Sequence, residues 1–128
     1  LGGRSLTDLG GADLSGANLD HANLGHANLT NAKLISASLN GADLTWVKLI
    51  SADLNGADLT DATLGNTNLT GANLTGVDLS RADLTDANLS GANLCGATNV
   101  ILSGSGWQSA PVPLSEQQKK AIATCPGQ

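Results

Sequence analysis

Methionine, phenylalanine and tyrosine are absent from this chain, and tryptophan occurs twice. So few aromatics leave nothing to interleave with basic residues. Lys and Arg number six against eleven Asp and Glu, a formal charge of −5. A basic, aromatic-studded groove is thereby excluded, and no direct contact with nucleic acid is expected. No apolar run approaches the roughly 20 residues that a membrane-spanning helix needs. The glycines do not form a phosphate loop ahead of a helix, and no Ser-His-Asp arrangement is in prospect. No catalytic, cofactor or metal site is therefore expected. The missing methionine is read as a leader removed or an end trimmed.

Cysteine is scarce, and its two copies stand far apart, at Cys95 and Cys125. An even pair in a short chain, together with the missing methionine read as above, points to a disulfide and an oxidising compartment, the periplasm or a lumen rather than the cytoplasm. The alternative is two buried, reduced thiols.

Against these absences stands one regularity. Leucine occupies every fifth position from Leu9 to Leu94, eighteen times without a failure. The residue two places before it is small, nearly always Ala, with Thr7, Val47, Thr67 and Val77 as exceptions; the residue just before it is usually Asp or Asn. A period this strict means one structural unit repeated. On a helix, five residues advance the leucine by about 140°, which scatters it around the axis. On a flat strand, successive leucines fall on opposite faces. Leu is the only large apolar residue the repeat supplies, so all must share one interior. The chain must then bend once per five residues in a constant sense, and its coils must stack. Turn formers follow each leucine, as in Ser15-Gly16, Asn40-Gly41 and Ser90-Gly91.

Ala12-Asp13-Leu14-Ser15-Gly16, Ala57-Asp58-Leu59-Thr60-Asp61 and Ala92-Asn93-Leu94-Cys95-Gly96 resemble the A(D/N)LXX unit of the pentapeptide repeat family. The resemblance implies an all-β solenoid: a right-handed quadrilateral β-helix with four units per coil, hence about four and a half coils stacked over roughly 22 Å. The layout of rod, tail helix and paired cysteines is similar to that of cyanobacterial and plant-lumen members.

The expected organisation is a lead-in at 1–6, the repeat rod at 7–99, a Ser, Gly and Pro-rich connection at 100–113 and a capping helix within 114–125. Ser115 serves as N-cap and Gln118 completes a capping box, with Pro126-Gly127 as the stop. This helix is expected to cover the open coil end with Leu114, Ala121, Ile122 and Trp107, since bare coil edges invite aggregation.

Four units per coil place residues twenty apart in one column. Asp13, Lys33 and Asp53 then alternate in sign, Asp61 meets Arg81, and Asp58 stacks on Asp78. His21 and His26 fall on successive corners with diverging side chains, which does not suit a metal. Trp46, Lys48 and Ile50 lie along one side of the third coil with Ile35 one coil away. As large apolar groups at outward positions, Trp46, Ile50 and Ile35 form a candidate partner patch around Lys48.

The function expected is a non-enzymatic structural or protein-interaction scaffold of unidentified partner, either a monomer or a weak end-to-end dimer. The alternative is an acidic DNA mimic that binds a type II topoisomerase, as the quinolone-resistance members of the resembled family do.

Overall fold

The computed structural model describes residues 7–98. The lead-in, Asn99, the connection and the segment expected to form the capping helix, with Trp107, Ser115, Gln118 and Cys125, lie outside the described residues.

An interior repeat with Asp or Asn before its leucine accounts for all five of its backbone N–H groups, as residues 57–61 illustrate. Ala57 donates to the Leu54 carbonyl (2.9 Å), closing a turn, while Asp58 reaches back to Ala37 in the preceding coil (3.0 Å). Leu59 and Asp61 reach forward to Asp78 (2.9 Å) and Ser80 (2.8 Å) in the next coil. The fifth N–H, from Thr60, is taken by Oδ1 of Asp58 at 2.9 Å. That last bond explains why Asp or Asn precedes the leucine: a short side-chain acceptor two residues back satisfies the one donor the coils cannot reach.

The turn recurs eighteen times, each closed by a slot residue donating to the leucine three residues earlier. Its third residue always has positive φ, between 55° and 73°, as a type II turn requires. Eight of these corners are glycine; the other ten include His21, His26, Trp46, Asp61 and Arg81.

Fifteen parallel bridges pair each residue before a leucine with the residue twenty positions on, from Asp8 with Asn28 to Asp78 with Thr98. Four pentapeptides therefore make one coil. The β character is confined to these isolated bridges. A turn every five residues leaves three residues per side, of which only the middle one pairs in both directions, so no continuous strand develops.

The interior is a stack of leucines with small slot residues between them. Leu29 to Leu79 are essentially inaccessible, and Leu84, Leu89 and Leu94 nearly so. In the first coil Leu9, Leu14, Leu19 and Leu24 are half-buried. Thr67 is the one buried polar residue among those described; its hydroxyl donates to the Leu44 carbonyl at 2.7 Å.

Candidate functional site

The corner column His26, Trp46, Asn66 and Asp86 departs most from the plain polar surface of the rod. Trp46 is 56% exposed, the only large hydrophobic residue so exposed among those described. Its φ of 60° belongs to the left-handed region that bulky side chains rarely adopt. The turn dictates that angle, and the same turn aims the indole away from the core. His26, one coil earlier, lies parallel to the indole, with ring centroids 6.3 Å apart and planes inclined by 5°.

On the side of Trp46 away from His26 an open groove of about 370 Å³ runs along the rod. It is lined by Trp46, Lys48, Asn66, Asn68, Asp86 and Asn88, with Val47 and Thr67 at its floor. It exists because the corners after Trp46 carry the much smaller Asn66 and Asp86. Oδ1 of Asn68 accepts the Thr70 N–H at 3.1 Å, and Oδ1 of Asn88 accepts the Ser90 N–H at 3.0 Å. Both amides therefore hold their turns with oxygen, and their Nδ2 groups make no hydrogen bond among the described residues.

The expected partner patch is only partly assembled. Lys48 is exposed beside Trp46, but Ile50 and Ile35 are half-buried. Register places Ile50 between Thr30 and Thr70, so its neighbours one coil away shield it. The residues that do join Trp46 and Lys48 are Asn66, Asp86, Asn68 and Asn88. Their signal was the twenty-residue column, followed forward from Trp46 and from Lys48.

The charge ladders resolve differently from one another. Asp61 and Arg81 form a bidentate pair, Nε to Oδ1 at 2.7 Å and Nη2 to Oδ2 at 2.9 Å, with the side chains 45% and 69% exposed. The Arg81 hydrogen bonds hold the Asp61 carboxyl below its ordinary value. Lys33 forms no ion pair within 4 Å among the described residues; in its alternating column it acts on Asp13 only through space, adding to the Ser15 hydrogen bonds that lower that carboxyl. Its column neighbours are engaged elsewhere: Asp13 caps Ser15 at 3.0 Å, while Asp53 caps Asn55 at 3.1 Å and accepts from Asn73 at 3.1 Å. Asp58 and Asp78, though stacked, each cap their own turn, at Thr60 and Ser80. Bonds from Thr45, side chain then backbone, lower the Asp43 carboxyl. The His21 ring lies over Gly41, where an added Cβ would come within 2.6 Å of Nδ1, whereas His26 faces Trp46.

Cys95 is nearly inaccessible, 8% exposed, and no free thiol is present among the described residues. Its expected partner Cys125 lies outside them.

Comparison with known proteins agrees with this architecture. The family model described as "Pentapeptide repeats" matches residues 7–34, 27–66 and 64–98, in eight copies. One similar structure is HetL, a pentapeptide repeat protein involved in heterocyst differentiation regulation from the cyanobacterium Nostoc sp. strain PCC 7120. It is 31% identical with a TM-score of 0.51, over 76% of this chain and 50% of that one. The present chain thus spans half the length of HetL. Another is a pentapeptide repeat protein from the Arabidopsis thaliana thylakoid lumen, 30% identical with a TM-score of 0.44, over 89% of this chain and 72% of that one. No curated protein matches the chain.

Proposed function

Because the chain belongs to the pentapeptide repeat family, whose members fold as right-handed quadrilateral β-helices, we propose that it acts as a rigid, non-enzymatic scaffold that docks a protein partner at the Trp46 corner. The observation that carries this reading is Trp46 itself, a large apolar ring held in solvent by a strained turn on an otherwise polar rod. The backbone donors of residues 45–49 are all bonded within or between coils, so the surface at Trp46 is pre-ordered and docking costs little entropy. The rod works as a monomer or a weak end-to-end dimer, the half-buried leucines of the first coil being the apolar surface that such a contact would use.

The proposal extends to the setting. A Cys95–Cys125 disulfide ties the tail to the last coil, and the protein resides in the periplasm or a lumen. The helical segment at 114–125, capped by Ser115 and Gln118, covers the coil end.

Topoisomerase-binding DNA mimicry is the weaker reading. Ten Asp against Lys33, Lys48 and Arg81 make the rod acidic, but its carboxylates are not arrayed like phosphates. Asp58, Asp78 and Asp83 each turn an oxygen onto their own backbone.

Parallel affinity capture with wild-type and Trp46→Gly baits tests the scaffold reading. A protein recovered by wild type and depleted at least tenfold by the variant is expected. Equal recovery removes this corner as the docking site. Alkylation with and without reductant, read by intact mass, tests the setting: cysteines that alkylate freely without reductant rule out the disulfide.

A further inference from the structure

We propose that the groove beside Trp46 binds a neutral carbohydrate, with one sugar ring stacked on the free face of the indole. This rests on the Trp46 corner being a contact site and gives the groove beside it a small-molecule occupant besides the protein partner.

Three observations converge on a neutral, ring-shaped, hydroxyl-rich ligand. His26 lies parallel to the indole on one side, with centroids 6.3 Å apart, while the groove opens on the other. A flat apolar face beside polar groups suits a ligand with one apolar side and a polar rim. The lining carries one cation, Lys48, and one anion, Asp86. They cancel, on a rod that is acidic overall, so neither a phosphate-bearing nor a strongly cationic ligand is matched. The remaining hydrogen-bonding capacity is mixed. Asn68 and Asn88 engage Oδ1 in their turns and keep Nδ2 for an incoming acceptor. Asn66 offers both ends of its amide, and Asp86 offers acceptors. Hydroxyl groups donate and accept alike and meet both kinds. The volume of about 370 Å³ falls within the range of roughly 300–1,000 Å³ usual for small-ligand sites.

The same turn chemistry supplies a variant that separates structure from binding. Asn68→Asp keeps a carboxylate oxygen to cap Thr70 but removes the Nδ2 donor. Asn88→Asp does the same at Ser90. Both should leave the unfolding midpoint near wild type while weakening sugar binding at least fivefold. Trp46→Gly should weaken it at least tenfold.

The experiment is a titration of the whole chain with glucose, galactose, N-acetylglucosamine and their β-1,4-linked disaccharides. It is followed by indole fluorescence, with Trp46→Gly reporting the Trp107 background, and by side-chain amide shifts of Asn66, Asn68 and Asn88. Arginine and a neutral nucleoside serve as competing chemistries. Saturable binding of a sugar that is lost in Trp46→Gly and weakened in Asn68→Asp is the expected result. Binding of arginine or the nucleoside in preference to every sugar overturns the proposal, as does a sugar response that survives Trp46→Gly. No sugar response, with Trp46-dependent protein capture intact, overturns the carbohydrate reading and leaves the scaffold reading standing. Loss of both removes the corner altogether.

Discussion

The carboxylate of Asp20 accepts the backbone N–H of Asn40, one coil further along, at 3.0 Å. In fourteen repeats the residue before the leucine caps its own turn with Oδ1. Ser38 holds that position in the repeat of Asn40 and does not serve as the acceptor. Asp20 supplies the oxygen instead and also accepts the Ser38 hydroxyl. Asp20→Ala should therefore cost about 1 kcal/mol, the net worth of a hydrogen bond. Ser38→Asn, which restores the local cap, should reduce that cost in the double variant. Urea unfolding of the four proteins in the cycle measures the coupling; additive effects would show that the Ser38→Asn cap does not substitute for the Asp20 contact, and an Asp20→Ala variant as stable as wild type would show that this contact contributes nothing.

Core position should set the cost of leucine truncation. Leu59 is fully buried in the middle of the stack, whereas Leu14 lies half-buried in the first coil. Leu59→Ala should lose about 2–5 kcal/mol, and Leu14→Ala well under that, because less apolar surface leaves water there. Chemical unfolding midpoints compare the two directly; equal losses would mean that the first coil is covered as fully as the third.

Acid should weaken the rod through its turn caps. Hydrogen bonds from Thr45 depress the Asp43 carboxyl below its ordinary 3.8, and those from Arg81 depress Asp61. A depressed folded value means that the stabilisation is present in full above the unfolded value and disappears as pH falls through the folded one. The unfolding midpoint should accordingly fall as pH is lowered from about 4. In Asp43→Asn, which keeps an acceptor for Thr45 but gains no proton, the fall should be shallower. An unchanged profile would show that this cap does not couple to folding.

The strained corner at Trp46 gives the fourth prediction. At φ 60° a side chain with a Cβ costs roughly 1–2 kcal/mol that glycine does not. Trp46→Gly should consequently be more stable than Trp46→Ala by about 1 kcal/mol after the greater unfolded entropy of glycine is subtracted. Thermal unfolding of the pair settles the order; an alanine variant that is equal or better would mean that the turn relaxes to another conformation.

The inward residues were readable from the period of five, since a single large apolar residue per unit allows only one interior. The coil size was not. Five-residue periodicity is compatible with other numbers of sides, and the twenty-residue register came from the family resemblance before the Asp8–Asn28 and Asp58–Asp78 bridges displayed it. The purpose of Asp and Asn before leucine was hidden as well, because it depends on which backbone donor the coils leave unbonded. On the surface, the column rule found Asp61 with Arg81 and set Lys33 beside Asp13, where the attraction stays through space because Asp13 and Asp53 bond to their own turns. It also drew in Ile35 and Ile50, which adjacent coils shield, and passed over Asn66, Asn68, Asp86 and Asn88, the side chains that shape the groove.

The twenty-residue register makes neighbourhood on the surface a matter of counting. Removal of one whole repeat, Ser36 to Asn40 for instance, would leave leucine stacked on leucine, with Leu44 resting on Leu19 in place of Leu24. The exterior beyond the excision would turn by a quarter relative to what precedes it. Trp46 would then face His21 rather than His26, while Asp61 would keep Arg81 and Trp46 would keep Asn66 and Asp86. Gains and losses of five residues can thus reshuffle the outside of this rod in blocks while its inside stays the same, a form of variation closed to proteins whose cores are assembled from unlike parts.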